Sequence, residues 1–188
     1  MKNSILLIAL LLVTAINTQA ATLVEVKTSI GTIELELNEE LAPISVQNFL
    51  AYVDKNLYDG TIFHRVIDNF MIQGGGYDKD LKRKETLPPI KNEAGNGLPN
   101  LKGTIAMART NVVDSATNQF FINLKDNAFL DQRGQTPSNF GYAVFGKVVA
   151  GLDVVEKIGK VRTIAKNSLF GDYPEPQVII ESVRRVSK

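Results

Sequence analysis

Ile33, Leu35 and Leu37 alternate with Glu34 and Glu36, the period-two pattern of a strand with one buried and one wet face. Thr22 to Val26 forms a second such run, and Ser29-Ile30-Gly31 between them completes a hairpin. The period then changes. After Ala42-Pro43, Val46, Phe49, Leu50 and Val53 recur at i, i+3, i+4 and i+7, which predicts an amphipathic helix ending near Lys55-Asn56. Pro43 falls near its first position, where a missing N–H does no harm. With one apolar face, this helix is suited to plug or cap a sheet. From Phe63 onward the chain is strand-like again: Phe63, Arg65 and Ile67 are expected on one side, His64 and Val66 on the other. Asp68-Asn69 supplies a turn, Phe70 to Gln73 resumes an extended run, and Gly74-Gly75-Gly76 ends it.

Further strands are expected over Gly103 to Ala108, Asn118 to Asn123, Tyr142 to Val148 and Gln177 to Val186, with a second helix over Leu152 to Ile158. In the strand from Asn118, Gln119 and Phe121 share one side. Between them lie a polar loop, Arg109 to Thr117, and a short loop element, Phe129-Leu130-Asp131. The charge run Asp78 to Glu85 reads as a solvated loop, and Pro88-Pro89 and Gly95 to Asn100 continue that irregular region. Strand runs outnumber helix runs and no βαβ alternation appears, so the pattern predicts a closed or nearly closed antiparallel β-structure with helical caps.

The first segment stands apart. Lys2 precedes an almost unbroken apolar run from Ile5 to Ile16, and Asn17-Thr18-Gln19-Ala20-Ala21 offers small residues for cleavage. The run is shorter than the roughly 20 residues of a membrane-spanning helix. Residues 1–20 are therefore read as a signal peptide, cleaved after Ala20 or the neighbouring Ala21, and residues 21–188 as one domain. Its removal takes one Lys and no acid, leaving 20 basic residues (21 − 1) against 20 acidic ones, a net charge of zero. That balance favours neither nucleic acid nor a membrane surface as partner. With no cysteine there is no disulfide framework, thiol chemistry or lipid-bearing Cys. A single histidine, His64, argues against a His-based metal site, and it lacks a convincing Ser or Asp partner for a hydrolase.

Arg65 on a strand beside Phe and Met is unusual, since Arg is rarely buried without partners. A lone Arg would pass as a cation whose stem lies along apolar surface, but the string from Phe63 to Gly75 resembles the cyclophilin signature F-H-R-x-I-x-x-F-M-x-Q-G-G. Gly103 to Arg109, Ser115 to Ile122, Phe129-Leu130-Asp131 and Val144 to Val148 extend the resemblance over essentially the whole mature chain. The Met107 to Thr110 form and the Gln73-Gly76 ending look like the bacterial branch. The resemblance implies an eight-stranded antiparallel β-barrel closed by two α-helices, and peptidyl-prolyl cis/trans isomerase activity with no cofactor.

Carried over by position, the resemblance makes Arg65 the catalytic arginine. Gln73 becomes the amide that orients it and bonds the substrate backbone. Phe70, Met71, Phe121 and Leu130 become the pocket for the proline ring, and Gln119 the polar residue of its floor. Ala108, Arg109 and Thr110 are placed beside the residue preceding proline, with Arg109 where eukaryotic members commonly carry Asn. Phe129 stands in place of a frequent Trp, and Tyr142 in place of a His, at the pocket wall. Loss of the indole N–H implies weakened cyclosporin A binding with isomerase activity kept. His64, by strand parity, is expected to face away from the pocket as a structural residue. The partners implied are proline-containing segments of exported proteins, met by a monomer in the periplasm, or outside the cell where the host lacks an outer membrane. A groove that binds such segments without turnover is the competing reading, and Arg65 speaks against it.

Overall fold

The computed structural model describes residues 22–186, so the expected signal peptide lies outside the described residues. The predicted hairpin forms from β1 (Thr22–Thr28) and β2 (Thr32–Leu37), paired antiparallel from Thr22 opposite Leu37 to Lys27 opposite Thr32. The chain continues through β3 (Thr61–Ile67), β4 (Met71–Asp78), β5 (Thr104–Met107), β6 (Phe120–Asn123) and β7 (Val144–Ala150). A two-residue pair, β8 (Thr163–Ile164) with β9 (Tyr173–Pro174), precedes β10 (Val178–Arg185). Eight strands close a barrel in the order β1-β10-β3-β4-β6-β5-β7-β2, and every pairing is antiparallel. Closure leaves this sheet no free edge.

Helix α1 (Pro43–Asp54) has the predicted bounds, and its Val46, Phe49, Leu50 and Val53 are all buried. Phe49 packs into an aromatic cluster, with ring centroids 5.1 Å from Tyr58, 5.6 Å from Phe120 and 5.3 Å from Phe145. These rings belong to the main core with Ile33, Leu35, Ile72 and Ile105, so the helix fills the barrel interior it caps. Truncating Phe49 to Ala would cost about 3–5 kcal/mol. No side chain caps α1 locally. Instead Glu93, far along the chain, accepts the Ile44 and Ser45 N–H groups at 3.0 and 2.7 Å, satisfying two orphan donors and tying the irregular 79–103 region to the helix. The second helix, α2 (Leu152–Gly159), buries Val154, Val155 and Ile158.

Two expectations about the signature stretch are corrected. The glycines do not end the strand, because β4 runs through them to Asp78. Four β4 steps, Gly74 to Asp78, oppose two on β3, Phe63 to Thr61. Gly75 takes φ +85°, and a Cβ there would lie 2.9 Å from the Asn118 carbonyl oxygen, so an irregular edge that only glycine permits replaces a strand end. The second correction is parity. Phe63 opposes Gly74 and Arg65 opposes Gln73, so His64 is the extra residue of a β-bulge. Phe63 therefore points into the core, while His64 and Arg65 both line clefts on the outer side of the barrel.

Candidate active site

The barrel's pairing register assembles the site. Arg65 on β3 lies opposite Gln73 on β4, which lies opposite Phe121 on β6, then Ala106 on β5 and Val144 on β7. Directly opposed residues share a face, so this row runs across the outside of the barrel with a cation and an amide at one end and apolar groups at the other. Met71, Phe121, Leu130, Ala106 and Val144 form an apolar cluster separate from the main core, with Phe70, Ala108 and Tyr142 packed against it. Arg65, Phe70, Met71, Gln73, Ala108, Arg109, Phe121, Leu130 and Tyr142 line one cleft of about 120 Å³. Nine of the twelve residues named from sequence thus meet at one place.

The other three sit around it. Phe129 is half-exposed and stacks on Phe70 at 5.6 Å, so it forms a rim and not a wall. Gln119 lines a neighbouring cleft of about 320 Å³ and reaches the site through Gln73, whose Nε2 donates to its Oε1 at 2.9 Å. Thr110 is exposed and bonds Ser115, with 2.8 Å between their hydroxyls, so it belongs to the adjoining loop.

Arg65 is held on two edges of its guanidinium. Nη1 donates to Gln73 Oε1 at 3.4 Å, and Nε donates to Asp172 Oδ2 at 3.3 Å. Gln73 is fixed in turn, its oxygen towards Arg65 and its NH2 towards Gln119. Gly76 makes room for this chain, because a Cβ there would sit 2.6 Å from the Gln119 side chain. On the opposite wall, Arg109 stacks over the Tyr142 ring at 4.8 Å and donates to the carbonyls of Gly141, Thr110 and Pro137 at 2.9, 2.9 and 2.7 Å. Its side chain ties the 133–141 loop to the cleft.

His64 adjoins the site, contrary to the parity expectation. It lines the neighbouring cleft with Arg65 and Gln73, yet is only 6% exposed and packs edge-on against Tyr77 at 4.8 Å. Burial lowers its pKa to about 4; the Ile62 carbonyl opposes that shift and the Arg65 cation adds to it. A neutral, enclosed imidazole supports the structural role expected for it, though on different geometric grounds.

Two supports were not anticipated. Asp172 lies in the loop before β9, where Phe170-Gly171-Asp172 carries only a turn signal in sequence. Beneath the apolar wall, buried Asn100, Asn123 and Asn127 form a linked amide network. Asn127 Nδ2 donates to the Phe70 carbonyl at 2.9 Å, and Asn100 Nδ2 to Asp131 Oδ1 at 2.9 Å. The network fixes the turns that present Phe70 and Leu130. Asn100 and Asn127 lie in loops, where Asn ordinarily signals a turn, and Asn123 ends β6, so nothing in the sequence marked the three as one buried network.

A closed eight-stranded barrel with two capping helices, and an outer apolar cleft with the Arg65–Gln73 pair at one edge, define a cyclophilin-like protein. The family model for cyclophilin-type peptidyl-prolyl cis-trans isomerases matches residues 23–185. Among curated proteins, peptidyl-prolyl cis-trans isomerase cyp18 of Streptomyces antibioticus is 57% identical over 161 residues, covering 86% of this chain and 96% of the relative. Peptidyl-prolyl cis-trans isomerase A of Dickeya dadantii is 55% identical over 161 residues (86% and 83%). A solved structure, cyclophilin AquaCyp293 from Hirschia baltica, superposes with a TM-score of 0.71 at 27% identity, covering 88% of this chain and 74% of that one. The chain belongs to the cyclophilin-type peptidyl-prolyl cis-trans isomerases, and its activity is peptidyl-prolyl isomerisation.

Proposed function

We propose that this isomerase acts on proline-containing segments of exported proteins, with Arg65 as its catalytic residue and the Phe70–Met71–Phe121–Leu130 cleft as its proline pocket. Rotation about an X-Pro bond meets a barrier of about 18–20 kcal/mol because the C–N bond has partial double-bond character. Twisting removes the conjugation and localises a lone pair on the prolyl nitrogen. A donor aimed at that nitrogen stabilises the twisted state over the planar one, which is the differential binding catalysis requires. A guanidinium offers a planar fan of N–H donors and does not titrate near neutrality. The single observation that carries the proposal is the placement of Arg65 at the edge of an apolar cleft, held by Gln73 and Asp172.

In the proposed complex the proline ring fills the apolar cleft and anchors one side of the bond. Gln73, with its amide direction set by Gln119, bonds the substrate backbone, and Ala108 and Arg109 line the path of the residue before proline. Nothing in this scheme uses a nucleophile, a metal or a cofactor. Signal-peptide cleavage after Ala20 or Ala21 would deliver a monomeric domain to the periplasm, or outside the cell where there is no outer membrane. A near-zero net charge after cleavage supports a protein with no nucleic-acid or membrane attachment.

Turnover separates catalysis from simple capture of proline segments. Residues 21–188, at a hundredth of the peptide concentration, should speed cis-to-trans exchange of a short Ala-Pro peptide that otherwise takes tens to hundreds of seconds. The rate should be flat in pH around neutrality. Binding without acceleration would favour the capture reading. For export, a fusion of residues 1–30 to a reporter should leave the cytoplasm; retention would refute that part.

A further inference from the structure

The geometry points to Asp172 as a positioning residue for isomerisation, acting through Arg65; this rests on Arg65 being the catalytic group. Asp172 Oδ2 accepts from Arg65 Nε at 3.3 Å. Its side chain and that of Arg65 are 44% and 43% exposed. An ion pair so open to water adds about 0–1 kcal/mol to stability, so folding alone gives little reason for the carboxylate to be there. Its location is nonetheless tightly specified by backbone. The Asp172 carbonyl accepts the Val66 N–H at 2.9 Å, binding the loop to the residue next to Arg65. On its far side Tyr173 pairs with Ile164, and Phe170 and Tyr173 pack on Ile62 of β3. The loop is thus anchored on both sides of Asp172, and the carboxylate is delivered to the guanidinium from a fixed position.

The division of donors gives this contact its purpose. Arg carries its guanidinium on a flexible stem, and stabilising a twisted amide demands a donor already in place. One tether, Gln73 on Nη1, leaves the plane free to swing about that contact. A second tether on Nε fixes the plane. Among the described residues no acceptor holds Nη2, so the outer edge of the fork stays available to substrate. Removing the Nε tether should therefore slow rotation on the bound peptide while leaving the apolar cleft, and peptide affinity, nearly intact.

The test is exchange spectroscopy on an Ala-Pro peptide with wild type, Asp172→Ala, Asp172→Asn and Arg65→Ala, each checked for an unchanged melting curve. This separates the on-enzyme exchange rate from the dissociation constant. We expect Asp172→Ala to lose about tenfold in exchange rate with affinity changed by less than about twofold. Asp172→Asn, whose amide oxygen still accepts from Nε, should recover most of the rate. If Arg65→Ala abolishes exchange while Asp172→Ala keeps the wild-type rate, the positioning role is wrong and the catalytic assignment stands. If Arg65→Ala itself keeps the rate, the assignment of Arg65 fails and this inference with it. A loss in Asp172→Ala carried by affinity alone overturns the positioning role.

Discussion

His64 gives a sharp prediction, because the bulge that turns it outward also buries it against Tyr77 and Phe170. Its pKa is about 4 in the fold against an ordinary 6.5. At about 1.4 kcal/mol per pH unit, the full linkage is about 3 kcal/mol. Between those values the unfolded chain binds the proton and the fold does not. The stability is therefore fully present above pH 6.5 and lost as pH falls towards 4. About 2 kcal/mol should go between pH 7 and pH 5, or roughly 4–8 °C in melting temperature for a domain of this size. The paired carboxylates do not confuse that window: hydrogen bonds from Arg185 and Arg184 hold Asp54 and Asp59 below the usual range. Melting curves of wild type and His64→Gln at the two pH values isolate the effect as a difference in slope, whatever the substitution costs outright. The chain has one histidine, so a proton NMR titration reports its pKa without ambiguity. A midpoint near 6.5, or equal pH slopes for the two proteins, would show that the fold does not hold His64 neutral.

Other outcomes follow from the site's supports. Gly76→Ala should push the Gln119 side chain off its seat, at 2.6 Å from the new Cβ. The displaced group is a flexible side chain, so stability should fall by under about 1 kcal/mol while the isomerisation rate falls about threefold or more. Arg109→Ala removes three bonds to carbonyls and the contact with Tyr142. It should raise KM about fivefold more than it lowers kcat, and limited proteolysis should cut faster within 133–141. Cyclosporin A should bind weakly to the wild type and about tenfold more tightly to Phe129→Trp, which restores an indole N–H donor; equal affinities by calorimetry would contradict the role given to that rim position.

The sequence was most legible where a regular period met a continuous core. Alternation in β2 and the i, i+3, i+4, i+7 set of α1 gave elements with the observed bounds, because an unbroken local period fixes which side chains share the face turned to the core. It was least legible where the backbone departs from the period. One extra residue at His64 reverses the face of everything before it, and a parity count has no means of seeing a bulge. Three consecutive glycines read as a stop, yet they continue β4, where a Cβ at Gly75 would meet the Asn118 carbonyl and one at Gly76 the Gln119 side chain. The apolar wall could be named residue by residue through family resemblance, but its supports could not. Asp172 reaches Arg65 across 107 positions of chain, and the buried Asn100 and Asn127 look in sequence like ordinary turn residues.

In the proposed mechanism Arg65 turns an apolar proline-binding cleft into a catalyst. The most direct test is the exchange rate of a bound Ala-Pro peptide on wild-type residues 21–188 and on Arg65→Ala, measured with peptide affinity in the same experiment. The variant should lose about a hundredfold or more in rate, with the peptide still bound. A variant that binds and exchanges the peptide as fast as the wild type would contradict that mechanism.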